Sequence, residues 1–81
     1  METRVAVISI IVEKPDCIGR LNELLHDYGA YIIGRMGIPY QAKGINIISV
    51  AIDAPQDVIN ALTGNLGKLD GITAKAAYSK V

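Results

Sequence analysis

Ile8-Ser9-Ile10-Ile11-Val12-Glu13-Lys14-Pro15 returns forty positions later as Ile48-Ser49-Val50-Ala51-Ile52-Asp53-Ala54-Pro55. Each copy is an alternating apolar run that ends in an acid and a proline, and an amphipathic helical pattern follows each. The chain therefore reads as one strand–helix–strand unit written twice, which constrains the fold more tightly than residue propensities do.

The first strand is expected from about Arg4 to Glu13. Asp16 is the expected N-cap of the first helix, where Ile18, Leu21, Leu24, Leu25 and Tyr28 recur at helical spacing until Gly29 stops it. A second strand should cover Tyr31 to Ile38, and Pro39 to Gly44 should form the hairpin loop before a third strand from Ile45 to Asp53. Pro55 should open the second helix, with Val58, Ile59, Leu62, Leu66 and Leu69 as its buried stripe. Asp70-Gly71 is a turn signal before a last strand from Ile72 to Ser79. Asp53 and Asp57 read as acids that complement the second helix dipole. The order is βαββαβ, and residues 1–81 are expected to form one domain with no linker.

The expected fold is α+β and ferredoxin-like, a four-stranded antiparallel sheet with two helices on one face. The first and third strands are expected at its centre, as a parallel pair. One face would carry Ile8, Ile10, Val12, Ile48, Val50 and Ile52, a core of branched side chains beneath the helices. The other would carry Val5, Val7, Ser9 and Ile11 from the first strand, with Ile45, Ile47, Ser49 and Ala51 from the third. A sheet with one solvated face should alternate apolar and polar residues, and this one does not. An apolar patch of roughly several hundred Å² is seldom left open on a monomer, so a second copy of the chain is expected to cover it.

Composition agrees. Hydrophobic residues make up 51% of an 81-residue chain, and mean hydropathy is positive at +0.32. A chain of this size buries only roughly 60–65% of its unfolded surface, so assembly would reinforce a thin core. No apolar run approaches the roughly 20 residues of a membrane span. Met1 leads into Glu2-Thr3-Arg4 without a basic leader, which points to a cytoplasmic protein. Eight basic residues balance eight acidic ones, whereas a nucleic-acid binder carries a basic surplus. Cys17 is the only cysteine, and His26 has no His or Cys at ligand spacing, so no metal or other cofactor is expected.

Two stretches are candidate ligand-binding segments. Asp16-Cys17-Ile18-Gly19-Arg20 spans the first strand-to-helix turn, where free N–H groups favour an anion and Gly19 permits close approach. Cys17 there would have a lowered thiol pKa if the helix terminus reached it. Gly34-Arg35-Met36-Gly37 sets an arginine between glycines on an edge strand, with Tyr40 close by to stack or hydrogen-bond. Such a strand suits either a subunit contact or a site where a guanidinium meets a carboxylate or phosphate. His26 lies on the edge of the first helix away from most of its apolar stripe and reads as a surface residue.

The first strand, its acid-proline end, Gly19 with Leu21 and the helix after them resemble the first half of ACT-type regulatory modules. In those modules the strand-to-helix loop meets an interchain ligand site. The chain is also similar to the ligand-binding half of nickel-responsive regulators, which assemble as tetramers. It lacks their DNA-gripping arm and the histidines and cysteine of their second strand, so nickel sensing and direct DNA contact are not expected. Tyr31-Ile32-Ile33-Gly34-Arg35-Met36-Gly37-Ile38-Pro39-Tyr40, together with Asp53-Ala54-Pro55, resembles the iron-only hydrogenase system regulators. That resemblance implies a small ACT-like regulator associated with hydrogenase maturation.

The resulting expectation is a non-enzymatic homodimer, assembled further into a tetramer, that regulates transcription of the hydrogenase system. It would sense a small-molecule effector or bind a maturation partner at subunit interfaces. A structural assembly subunit without ligand is the alternative. An acylphosphatase-type hydrolase shares the topology, but Arg20 and Asn46 supply its residue types without its motif, and no base stands by Ser9 or Ser49. An RNA-binding module would need aromatics on the central strands, and a copper carrier a second cysteine in the first loop.

Overall fold

A near-continuous apolar run rich in β-branched residues over Arg4–Val12 makes β1, and a similar run over Ile45–Ala54 makes β3, with burial alternating along each. Between them come a 3₁₀ turn at Pro15–Cys17, α1 at Ile18–Asp27, a second 3₁₀ turn at Gly29–Tyr31 and β2 at Ile32–Tyr40. A 3₁₀ turn at Gln41–Lys43 closes the β2–β3 hairpin, and α2 (Gln56–Gly67) and β4 (Ile72–Tyr78) complete the chain. The computed structural model describes residues 2–80, so Met1 and Val81, the ends of the expected domain, lie outside the described residues.

The strands form one sheet in the order β2-β3-β1-β4, compatible with the ferredoxin-like fold. β1 and β3 are central, as expected, but they run antiparallel, with Val7 opposite Ala51 and Ser9 opposite Ser49. The expected parallel pairing is wrong for a topological reason. Each strand–helix–strand unit brings its own two strands back in the same direction, and the β2–β3 hairpin reverses one unit against the other. Every neighbouring pair is consequently antiparallel.

The expected core is confirmed. Ile8, Ile10, Val12, Ile48, Val50 and Ile52 are buried, joined by Ala6 and Ala54 at the β1–β3 end. They pack against Leu21 and Leu25 of α1 and Ile59, Leu62 and Leu66 of α2. Val58 and Leu69 are only partly buried at the margin of this cluster.

Several local expectations shift. Asp16 does not cap α1. Pro15 starts a 3₁₀ turn instead, Cys17 occupies the cap position, and no side chain bonds there. Gly29 does not end α1 with a left-handed turn, since only Gly44 and Gly71 have positive φ among the described residues. Tyr28 caps the helix and Gly29 opens the second 3₁₀ turn. Pro39 and Tyr40 belong to β2 and not to the hairpin loop, which Gly44 turns at φ 65°. Asp57 does sit in the first turn of α2, where its Oδ1 accepts from the Val58 amide at 3.0 Å. Asp53 instead remains in β3 opposite Val5.

The turn into β4 is tied to the end of β1. The Glu13 amide donates to the Gly71 carbonyl at 2.7 Å, and Lys14 Nζ pairs with Asp70 Oδ2 at 2.7 Å. The hydrogen bond from Lys14, and then its charge, hold the Asp70 carboxyl below its ordinary range, and the same contact raises Lys14. Both groups are exposed, so the pair adds little stability. Gly71 is the sensitive residue. Its φ is +79°, and a Cβ there would come within 2.6 Å of the Lys14 Cβ and Cγ. Gly71→Ala is expected to lower unfolding stability by about 1–2 kcal/mol from the left-handed backbone alone, measurable in urea. Gly19→Ala, where an added Cβ meets nothing within 4 Å, serves as the control.

Candidate functional site

The two helices cover one side of the sheet and leave the other open. On the open side the register builds transverse rows. Ile11, Ile47 and Ile38 lie side by side across β1, β3 and β2, with Thr73 of β4 continuing the row. The next row holds Ser9, Ser49, Met36 and Lys75, and the one after it Val7, Ala51, Gly34 and Ala77. The face expected from β1 and β3 is thus present. Val5, Val7, Ser9 and Ile47 are exposed, and Ile11, Ile45, Ser49 and Ala51 half-buried.

β2 adds apolar surface that the sequence reading had not assigned to this face. Ile33 is 65% exposed, Met36 62% and Ile38 51%, with Tyr40 completing the series. A register shift between Ile32 and Gly34 turns Ile33 outward along with them. The spacing Met36-x-Ile38-x-Tyr40 was the available signal, obscured by the glycines on either side.

The chain as a whole is a slab of 41 × 19 × 17 Å. It exposes 5268 Å², whereas a compact monomer of 8.7 kDa exposes roughly 4,700 Å². The excess, about 500 Å², goes with this elongated shape.

The two candidate ligand segments lie on different parts of the chain. Asp16 and Cys17 belong to the turn held at the β4 side, where the Cys17 thiol donates to the Asp70 carbonyl. That bond and its packing against the core give Cys17 a structural place. Ile18 also packs on the core, while Gly19 has open space around it. Arg20 faces the groove between the helices, together with Glu23, Asp27 and Lys68. Gly34 to Tyr40 instead occupy the opposite edge strand, with β3 and β1 between.

That edge segment is itself divided. Gly34, Met36 and Tyr40 align with Ala51, Ser49 and Ile45 on the open face. Arg35 and Gly37 align with Val50 and Ile48 on the helix side. Arg35 Nη2 donates to Asn22 Oδ1 of α1 at 3.0 Å. His26, read as a surface residue, is exposed and lines a groove with Asn22 and Arg35. Asn22 did not stand out in the sequence, and nothing there linked His26 to Arg35, because α1 and β2 meet only through the fold.

No group of three or more His, Cys, Asp or Glu is placed to hold a metal among the described residues. Nor is any helix there long and apolar enough to cross a membrane.

A family model described as "TM1266-like: Iron-only hydrogenase system regulator, putative" matches residues 4–76. Among solved structures, the chain is similar to uncharacterized protein TM1266 from Thermotoga maritima. The two share 31% identity over 98% of this chain and 100% of that one, with a TM-score of 0.94. A search of curated proteins finds no match.

Proposed function

This chain belongs to the TM1266-like family of iron-only hydrogenase system regulators, and from that membership we propose that it acts as a small homo-oligomeric regulatory module. The open apolar face of the sheet carries this reading. Ile11, Ile47 and Ile38 form a continuous branched row, and the small Ser9–Ser49 row beside it would let a second sheet approach closely. Burying such a face against another copy removes apolar area from water at about 25 cal/mol per Å² before the costs of association. A dimer made this way has its helices outside, free to assemble further into a tetramer.

Regulation then requires an effector or a partner that favours one subunit arrangement, and it must bind two arrangements with different affinity. Asp16 to Arg20 of one chain could meet Gly34 to Tyr40 of another, although they stand apart within one. The chain has no basic surplus, so contact with DNA would fall to a partner protein.

Native mass spectrometry of gently purified protein at micromolar concentration tests the reading. A dimer or tetramer is expected, and retained extra mass would identify the effector. A monomer under these conditions overturns it.

A further inference from the structure

The groove between α1 and β2 lies on the helix side of the sheet, away from the open apolar face. Asn22, Leu25, His26, Gly29, Ile32 and Arg35 line a space of about 320 Å³. Its walls combine apolar side chains, Leu25 and Ile32, with three polar ones, Asn22, His26 and Arg35. Leu25 is buried and Ile32 packs against the core, which fixes the apolar part.

Arg35 reaches this groove because its register partner is Val50, on the helix-covered side of β3. The bond to Asn22 Oδ1 holds the guanidinium against α1 while using one of its five N–H donors. No acid lines the groove, and among the described residues the one ion pair is Lys14–Asp70, at the other side of the sheet. Asn22 gives its oxygen to Arg35 and keeps its amide N–H groups as donors. A Cβ at Gly29 would meet nothing within 4 Å, so the wall there is open. The groove therefore offers a positioned cation without a counter-ion, further donors and an apolar surface.

We propose that this groove binds a small monocarboxylate with an apolar body. The carboxylate accepts from the free N–H groups of Arg35, with Asn22 and His26 as additional donors, and the body lies on the half-buried Ile32, beneath which the buried Leu25 packs. Planar fork geometry suits arginine to a carboxylate. A phosphate would face a single fixed cation and leave the apolar wall uncovered. The inference names an effector class for the regulatory module above and rests on that reading for its consequence. Binding itself needs only one chain.

The test is NMR titration of the isotope-labelled full chain with three probes: hexanoate, its neutral analogue hexanamide, and inorganic phosphate. Saturable shifts at Asn22, Gly29 and Arg35 are expected with hexanoate. Arg35→Gln should weaken binding by about tenfold or more, as loss of a charge-assisted bond does. Arg35→Lys should recover part of it, and His26→Ala tests the same wall without touching the arginine.

Equal binding of hexanamide or phosphate overturns the proposal. Shifts centred on Arg20 and Lys68, unchanged affinity in Arg35→Gln, or no saturation with hexanoate do so too. Sedimentation of the same samples separates the two readings. A monomer that binds hexanoate overturns the sheet-face assembly alone, and an oligomer that does not bind overturns the groove alone.

Discussion

Replacing Ile47 by glutamate is expected to split the assembly into folded monomers. Ile47 lies in the middle of the isoleucine row, between Ile11 and Ile38, and is 38% exposed in the single chain. In a monomer the new carboxylate reaches water, and the cost is limited to a less favourable strand residue, within about 1 kcal/mol. Across a sheet-to-sheet interface the same group would be buried among apolar neighbours, with the cation of this face, Lys75, at the β4 margin. An unpaired buried charge costs several kcal/mol, so about 3 kcal/mol, or roughly 100-fold in Kd, is a conservative expectation. Sedimentation velocity should show the shift in mass, and circular dichroism should show unchanged secondary structure. An Ile47→Glu protein with the wild-type mass would remove the open face as the site of assembly. Lys75 makes a useful contrast: it is already charged, it aligns with Ser9 at the β4 margin, and its change to glutamate should matter much less.

The architecture was largely legible because burial and periodicity act locally. The repeat at residues 8–15 and 48–55 marks the two central strands, and every residue expected in their helix-covered face is buried. Strand direction is not carried by that repeat but by the element order. The β2–β3 hairpin must reverse one unit against the other, so the expected antiparallel sheet is present and the expected parallel central pair was inconsistent with it. Helix ends were legible only to within a residue or two, since Asp16 and Gly29 match capping preferences that the 3₁₀ turns on either side of α1 override.

The open face was half legible. Its β1 and β3 members follow from alternation, but the outward turn at Ile33 depends on a register shift that no residue pattern announces. The groove was less legible still. Arg35 stood out between glycines, yet its partner Asn22 lies thirteen residues earlier on a helix. Their meeting is a consequence of how α1 packs over the sheet. Single residues of unusual type can be found in a chain; the partners that give them chemistry are assigned by tertiary structure.

Leu62→Ala should have the largest effect on folding, and its pattern separates core from interface. Leu62 is fully buried in α2 at helical spacing with Ile59 and Leu66. Truncating a leucine in such a place costs about 2–5 kcal/mol, from lost transfer energy and the cavity left behind. An 81-residue domain has roughly 4–12 kcal/mol in total, so the substitution removes a large fraction of it. In urea the midpoint should fall at every protein concentration, because the cavity lies in each subunit's own core. The wild-type midpoint should itself rise with concentration if folding and assembly are linked. Ile47→Glu should behave oppositely: its midpoint should lose that dependence and match the wild type at high dilution. A Leu62→Ala midpoint equal to wild type would contradict the packing of α2 on the sheet. A wild-type midpoint that ignores concentration would mean that the subunits are already separate at the urea concentration where they unfold. The double variant supplies the last term, since core and face lie on opposite sides of the sheet. Their effects on the isolated subunit should then add, and any large departure would mean that the open face and the core move together.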